Sequence, residues 1–275
     1  MTEAVENFIR LVPLGFCVGT YSALIGAGGG FLMVPLLILI MPGDLMPAEV
    51  TSISLTVVFF TAYAGTVTYA RMGHINYYFG VLFALAGMPG IILGTIAVRY
   101  VPRQTFALFF GVVLCGLGIF LAARPIGQRK AGESDSEECS AGEKRPTLLG
   151  ATVSAYVGVI SGLLGIGGGI VQVPFLIRVL NFRAHVATAT SLFCLAIIAL
   201  TGTLSHVIHD LWFAAGESAF LGGVDKTMYL AVGVMMGAPL GASLSGLVRG
   251  SVIVRLLALA MCVVGARLIW TAALG

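Results

Sequence analysis

Charge is what this chain has least of: Asp, Glu, Lys and Arg together make up 10% of its 275 residues. Soluble domains carry about 25%, so too few charges remain here to wet a water-facing surface, whereas lipid needs none. Membrane embedding follows, in keeping with 58% hydrophobic residues and a mean hydropathy of +1.02. Basic runs are also missing. The net charge of +3 is spread along the chain, without the clustered Lys and Arg of a nucleic-acid footprint, so no nucleic-acid partner is expected. A cleaved secretion signal is not expected either, because Glu3 and Glu6 stand where such a signal carries positive charge. The five cysteines (Cys17, Cys115, Cys139, Cys194, Cys262) form no CxxC or Cys/His ligand spacing. They read as packing residues, with no metal site and no disulfide framework. No nucleotide loop is present, so neither a cofactor nor direct ATP use is expected.

What the chain does have is long apolar segments, at roughly 8–40, 50–71, 77–98, 104–123, 148–180, 186–208, 227–247 and 252–272. A membrane-spanning helix needs about 20 such residues. The expected fold is therefore all-α and integral to the membrane, with about eight segments. The only long polar stretch, at 124–147, reads as a cytoplasmic linker between a first repeat, 1–123, and a second, 148–275. Its Arg124, Arg129, Lys130, Lys144 and Arg145 face the cytoplasm under the positive-inside rule. Arg99, Arg103, Arg249 and Arg255 bracket short loops and read as topology determinants.

The two parts resemble each other. GAGGGFLMVP (Gly26–Pro35) and GIGGGIVQVP (Gly165–Pro174) fit one pattern, G-x-G-G-G-x-x-x-x-P, 139 residues apart. Thr51, Ser54, Leu55 and Gly65 match Thr188, Ser191, Leu192 and Gly202; Gly87 and Pro89 match Gly237 and Pro239; Cys115 and Gly118 match Cys262 and Gly265. Duplication of a four-segment unit accounts for this, with one insertion after Asp210.

Segments 8–40 and 148–180 have an awkward length. As single helices they would reach about 50 Å, against a hydrocarbon core of about 30 Å, yet each is too short to cross twice. Consecutive glycines, each costing about 1 kcal/mol in a helix, predict a break at Gly28–Gly30 and at Gly167–Gly169, followed by a short second helix. That piece either crosses or returns to its side of entry; the returning scheme makes the halves inverted repeats.

Irregular backbone at membrane depth survives only inside protein or beside a water-filled cavity. A helix starting there points unpaired N–H groups, carrying about half a positive charge, into that space, and glycine lets an oxyanion approach closely. Close helix packing through G-x-x-x-G is the plainer use of the same residues. Thr51 with Ser54, and Thr188 with Ser191, sit three apart and share a helix face; they serve either as anion donors or as helix-to-helix hydrogen bonds. Gln172 is a neutral donor whose counterpart is Met33. Arg71, His74, His206 and His209 lie near segment ends. Arg71 and His74 read as interfacial, whereas His206 is a candidate for proton coupling. A Ser/His enzyme would need an orienting acid, and no segment interior offers one, so the chain is not expected to be an enzyme.

Together, the doubled glycine motif, the two Thr/Ser-Leu stretches and the Gly-x-Pro pairs resemble the sulfite exporter TauE/SafE family, also called the toluene-sulfonate uptake permease family. The resemblance covers essentially the whole chain. It implies a multi-pass plasma-membrane transporter, in the bacterial inner membrane, that moves sulfite, sulfonates or related anions, commonly outward. Uptake, or a channel for another small anion or organic acid, is the alternative. The implied partners are a small anion and the bilayer, and a homo-oligomer is compatible with the sequence.

Overall fold

The computed structural model describes residues 2–40, 46–123, 144–180, 182–213, 224–245, 258–259 and 261–270. They form helices α1 (Thr2–Ile25), α2 (Gly30–Ile40), α3 (Pro47–Arg71), α4 (Tyr77–Ala97), α5 (Arg103–Ala123), α6 (Lys144–Leu164), α7 (Gly169–Arg178), α8 (Ala184–Phe213) and α9 (Val224–Ser245). A final helix, α10, covers Met261–Trp270. Among the described residues there is no strand. Five of the helices are long and apolar enough to span a bilayer, and shorter apolar helices accompany them. Most of the polar stretch 124–147 lies outside the described residues, but its last four, from Lys144, already belong to α6.

The surface is apolar where a soluble protein would be polar. Leu85, Ile92, Leu93 and Ile96 are exposed along α4, and Leu200, Leu204, Ile208 and Leu211 along α8. The α8 set recurs every three or four residues, and the α4 set spans about three turns with Leu85, Ile92 and Ile96 on one side, so each helix turns an apolar face outward, as lipid contact requires. Tyr77, Tyr78, Tyr100, Trp212 and Trp270 stand exposed near helix ends, where amphipathic rings sit at headgroup level.

Lipid gives helices no hydrophobic reason to associate, so close backbone contact must do it. Glycine supplies that contact most closely in two helix pairs. Between α1 and α9, a methyl group on Gly233 would strike the Val12 carbonyl, and one on Gly237 the Phe16 carbonyl. Between α4 and α6, Gly90 meets the Ala155 carbonyl and Gly94 the Val159 carbonyl in the same way. The Gly-x-Pro pairs of the sequence therefore lie inside α4 and α9, at these two crossings.

Contact order along the helices fixes their directions. Gly80 meets Phe193, Gly87 meets Ile198, Thr95 meets Ser205 and Arg99 meets Asp210, so α4 and α8 run parallel. The pairs Gly90/Ala155 and Gly94/Val159 make α4 and α6 parallel too. Hence α6 and α8 share one direction, and α7 carries the chain back between them. Consistently, Phe175 of α7 packs on Phe83, with ring centroids 6.0 Å apart, and lies beside Gly150 near the start of α6. The other set meets at Tyr69. Its hydroxyl lies 3.3 Å from the Ala23 carbonyl and 2.5 Å from Ser245 Oγ, so the last turns of α1, α3 and α9 converge there. These three helices are therefore parallel, and α2 reverses the chain as α7 does. By contrast, α3 is antiparallel to α8: Leu55 meets Gly202, and Gly65 meets Leu192.

Candidate functional site

Both expected breaks are present, and they are built alike. Gly26, Gly28 and Gly29 have φ of 79°, 78° and 86°; Gly165, Gly167 and Gly168 have 69°, 81° and 89°. Side chains other than glycine's rarely tolerate this left-handed region. Each preceding helix ends with two N–H groups on one carbonyl. Gly26 and Ala27 donate to Ser22 O at 2.9 and 3.2 Å, and Gly165 and Ile166 donate to Ser161 O at 2.8 and 3.3 Å. Each following helix is then started by a glycine carbonyl. Leu32 and Met33 donate to Gly29 O, and Val171 and Gln172 to Gly168 O. The first-turn N–H groups of Gly30 and Phe31, and of Gly169 and Ile170, have no acceptor within their own helix and carry the positive end of its dipole.

The two breaks interlock. Gly28 and Gly167 both face the same apolar pair, Val58 of α3 and Leu195 of α8. Gly30 lies against the Gly165 carbonyl, and Gly169 against that of Gly26. Residues 26–30 and 165–170 are all buried, so this conformation is closed around the site.

The hydroxyl residues take part, but across the halves and not within them. Ser54 of α3 donates to Gly165 O at 2.7 Å, and Ser191 of α8 donates to Gly26 O at 3.2 Å. Thr51 likewise lies against Gly165, and Thr188 against Gly26. Each hydroxyl pair thus meets the break of the opposite half, a crossed arrangement. A hydroxyl has one proton. Those of Ser54 and Ser191 are committed to carbonyls and that of Thr51 to Ala48 O at 3.0 Å, so these groups clamp backbone in this conformation. Gln172 is buried and donates to Cys194 Sγ at 3.2 Å, leaving Oε1 unpartnered.

Among the described residues, four Ser and Thr hydroxyl oxygens are buried without a partner; three of them, Ser22, Ser161 and Thr188, lie at the breaks, and the fourth belongs to Thr66 of α3. An unsatisfied buried hydroxyl costs about 1–3 kcal/mol. Ser22 and Ser161 escaped the sequence reading. Each stands in an apolar run one turn before its break, and the only signal is that they too are 139 residues apart.

His206 is elsewhere. It is fully buried, with neither ring nitrogen hydrogen-bonded, but it lies 11 residues beyond Leu195 on α8, about 16 Å along the helix. Its neighbour Ser205 bonds Thr95 Oγ1 at 2.8 Å. Just beyond, Arg99 pairs with Asp210 at 2.8 Å, their side chains 16% and 3% exposed. Arg99 is thus more than a topology determinant, and Asp210 is an acid inside a helix, because α8 continues to Phe213. Arg71 is exposed, as an interfacial residue would be. His74 stacks loosely near His185, with ring centroids 6.4 Å apart.

Sequence comparison supplies the family. The profile of the family described as Sulfite exporter TauE/SafE matches residues 11–268. The "Probable membrane transporter protein YunE" of Bacillus subtilis is 30% identical, over 96% of this chain and 98% of its own. A probable membrane transporter protein of Xylella fastidiosa is 29% identical over 87% and 88%, and one of Methanocaldococcus jannaschii is 28% identical over 73% and 74%. No solved structure matches. The chain is a multi-pass plasma-membrane transporter and belongs to the sulfite exporter TauE/SafE family.

Proposed function

We propose that this protein is a secondary transporter that exports small sulfur-containing anions, sulfite or sulfonates, by alternating access around an anion held at the midplane. One observation carries the reading: two matched glycine-initiated helix starts interlock at a single buried place, joined crosswise by Ser54–Gly165 and Ser191–Gly26. Positive helix ends facing each other attract an anion, not a cation. The family description supplies the sulfur chemistry.

In this reading 1–123 and 148–275 are inverted repeats joined by the cytoplasmic stretch 124–147, and α2 and α7 are re-entrant. The reversal of direction at both breaks supports this, since neither short helix continues across. The site comprises Gly28, Gly29, Gly30, Thr51 and Ser54 from one half, and Gly167, Gly168, Gly169, Gln172, Thr188 and Ser191 from the other. The buried conformation corresponds to an occluded state, and its opening frees the clamping hydroxyls to face substrate. His206, buried without a partner beside the Arg99–Asp210 pair, is the proton-coupling group. No enzymatic step is required of any of these residues.

The test is counterflow of labelled sulfite, and of a panel of sulfonates, in proteoliposomes holding the purified chain. Trans-stimulated exchange is the expected result. Flux without trans-stimulation identifies a channel, and no flux with any sulfur anion removes the substrate assignment. A His206→Gln variant is expected to keep exchange but lose the dependence of net flux on a proton gradient; unchanged dependence removes His206 from coupling.

A further inference from the structure

We infer that Ser22 and Ser161 are the hydroxyl donors that receive the anion, one at each helix start. The inference rests on the anion-transport reading and adds to it which side chains meet the ligand. Several other hydroxyls in the membrane helices satisfy themselves. Thr20, Thr61 and Thr201 donate to the carbonyl four residues back, at 2.8 to 3.0 Å, the ordinary habit of Ser and Thr in membrane helices. Ser22 and Ser161 do not, although both are buried, at 0% and 1% exposed.

Their position gives the reason. Ser22 Oγ lies 2.7 Å from where a methyl group on Gly29 would sit, and Ser161 Oγ lies 3.8 Å from that place on Gly168. Gly29 and Gly168 are the residues whose carbonyls start α2 and α7. Each unpartnered hydroxyl therefore stands against the glycine that starts a helix of 11 or 10 residues, whose first N–H groups have no acceptor within that helix. Thr188, also unpartnered, joins them at Gly26. Hydroxyls and backbone N–H groups are neutral donors, so the ligand they fit is a small oxyanion with several acceptor oxygens. Ser54 and Ser191, committed to carbonyls, hold the backbone in place around it.

The experiment is calorimetric titration of sulfite and of methanesulfonate into the purified full chain, with Ser22→Ala, Ser161→Ala and the double variant, alongside thermal unfolding without ligand. A lost hydrogen bond to an anion weakens binding about tenfold or more. Each single variant is expected to show that loss for both anions, and the double variant a larger one. Without ligand, the variants are expected to unfold no earlier than wild type, because the hydroxyl removed had no partner. Equal affinity in wild type and variants overturns this assignment and leaves the anion site standing. Earlier unfolding without ligand overturns it as well, since that marks a structural role. If the wild type binds neither anion, the transport reading falls and this inference with it.

Discussion

Ser54 Oγ donates to the carbonyl of Gly165 at 2.7 Å, across 111 residues of sequence. With its counterpart, Ser191 to Gly26 O at 3.2 Å, it ties each broken helix to the other half of the protein. A glycine break frees backbone carbonyls in a place with little water, and these two hydroxyls satisfy a pair of them.

Removing a clamp leaves such a carbonyl without its side-chain partner. Ser54→Ala is expected to cost about 1–2 kcal/mol of folding free energy, read from unfolding of purified protein in mixed micelles. Ser191→Ala is expected to cost less, since its bond is longer. Equal and negligible losses in both would show that the crossed bonds do not hold the breaks together.

Tyr69 does a comparable task where α1, α3 and α9 end together. Buried among them, its hydroxyl reaches Ala23 O and Ser245 Oγ. Tyr69→Phe keeps the ring and removes only the hydroxyl, whose one proton serves Ser245 Oγ at the shorter distance with the Ala23 carbonyl as the more distant acceptor. The expected loss is about 1–2 kcal/mol. Ser245→Ala, whose hydroxyl also bonds Ala242 O at 3.0 Å, should be non-additive with it in a double-mutant cycle. Full additivity would mean that the two side chains do not interact.

The Arg99–Asp210 pair offers a sharper contrast. With Asp210 only 3% exposed at its side chain, Arg99→Ala leaves an acid without its cation in a low-dielectric setting. Breaking a buried pair by removing one partner costs about 3–5 kcal/mol, whereas replacing both is far milder; the 16% exposure of Arg99 places the expectation at the low end. Arg99→Ala should therefore lower stability more than the double variant Arg99→Leu/Asp210→Leu. The reverse order, from the same unfolding measurement, would show that the pair is solvated.

These cases also mark what could be read from sequence. The breaks were legible because three consecutive glycines stand in a segment too long to cross the bilayer once and too short to cross it twice, and because the pattern occurs twice. The crossing of Ser54 and Ser191 to the opposite halves was not, since helix spacing reports which residues share a face and not which helix that face meets. Ser22 and Ser161 were hidden for a related reason: a lone serine in a membrane helix ordinarily bonds its own backbone. Asp210 was missed because hydropathy falls from His206 onward, which reads as a segment end, although α8 runs on to Phe213 with its acid neutralised by Arg99.

Glycine packing supplies a last prediction, testable by one substitution at two places. In α4, a Cβ on Gly94 would collide with the Val159 carbonyl and come within 2.7 Å of Leu163 N and 2.9 Å of Gly162 Cα, all backbone of α6. Backbone cannot swing aside, so Gly94→Ala must push α4 and α6 apart and forfeit contacts along their crossing. In α5, Gly116 has nothing within 4 Å of the same position, and alanine there gains about 1 kcal/mol of helix propensity. The expected outcome is opposite signs: Gly94→Ala lowers the unfolding midpoint and Gly116→Ala raises it or leaves it unchanged. The measurement also bears on function, because α6 leads directly into the break at Gly165–Gly168. A Gly94→Ala protein that remains folded should therefore bind anion more weakly as well, whereas Gly116→Ala should bind as wild type does.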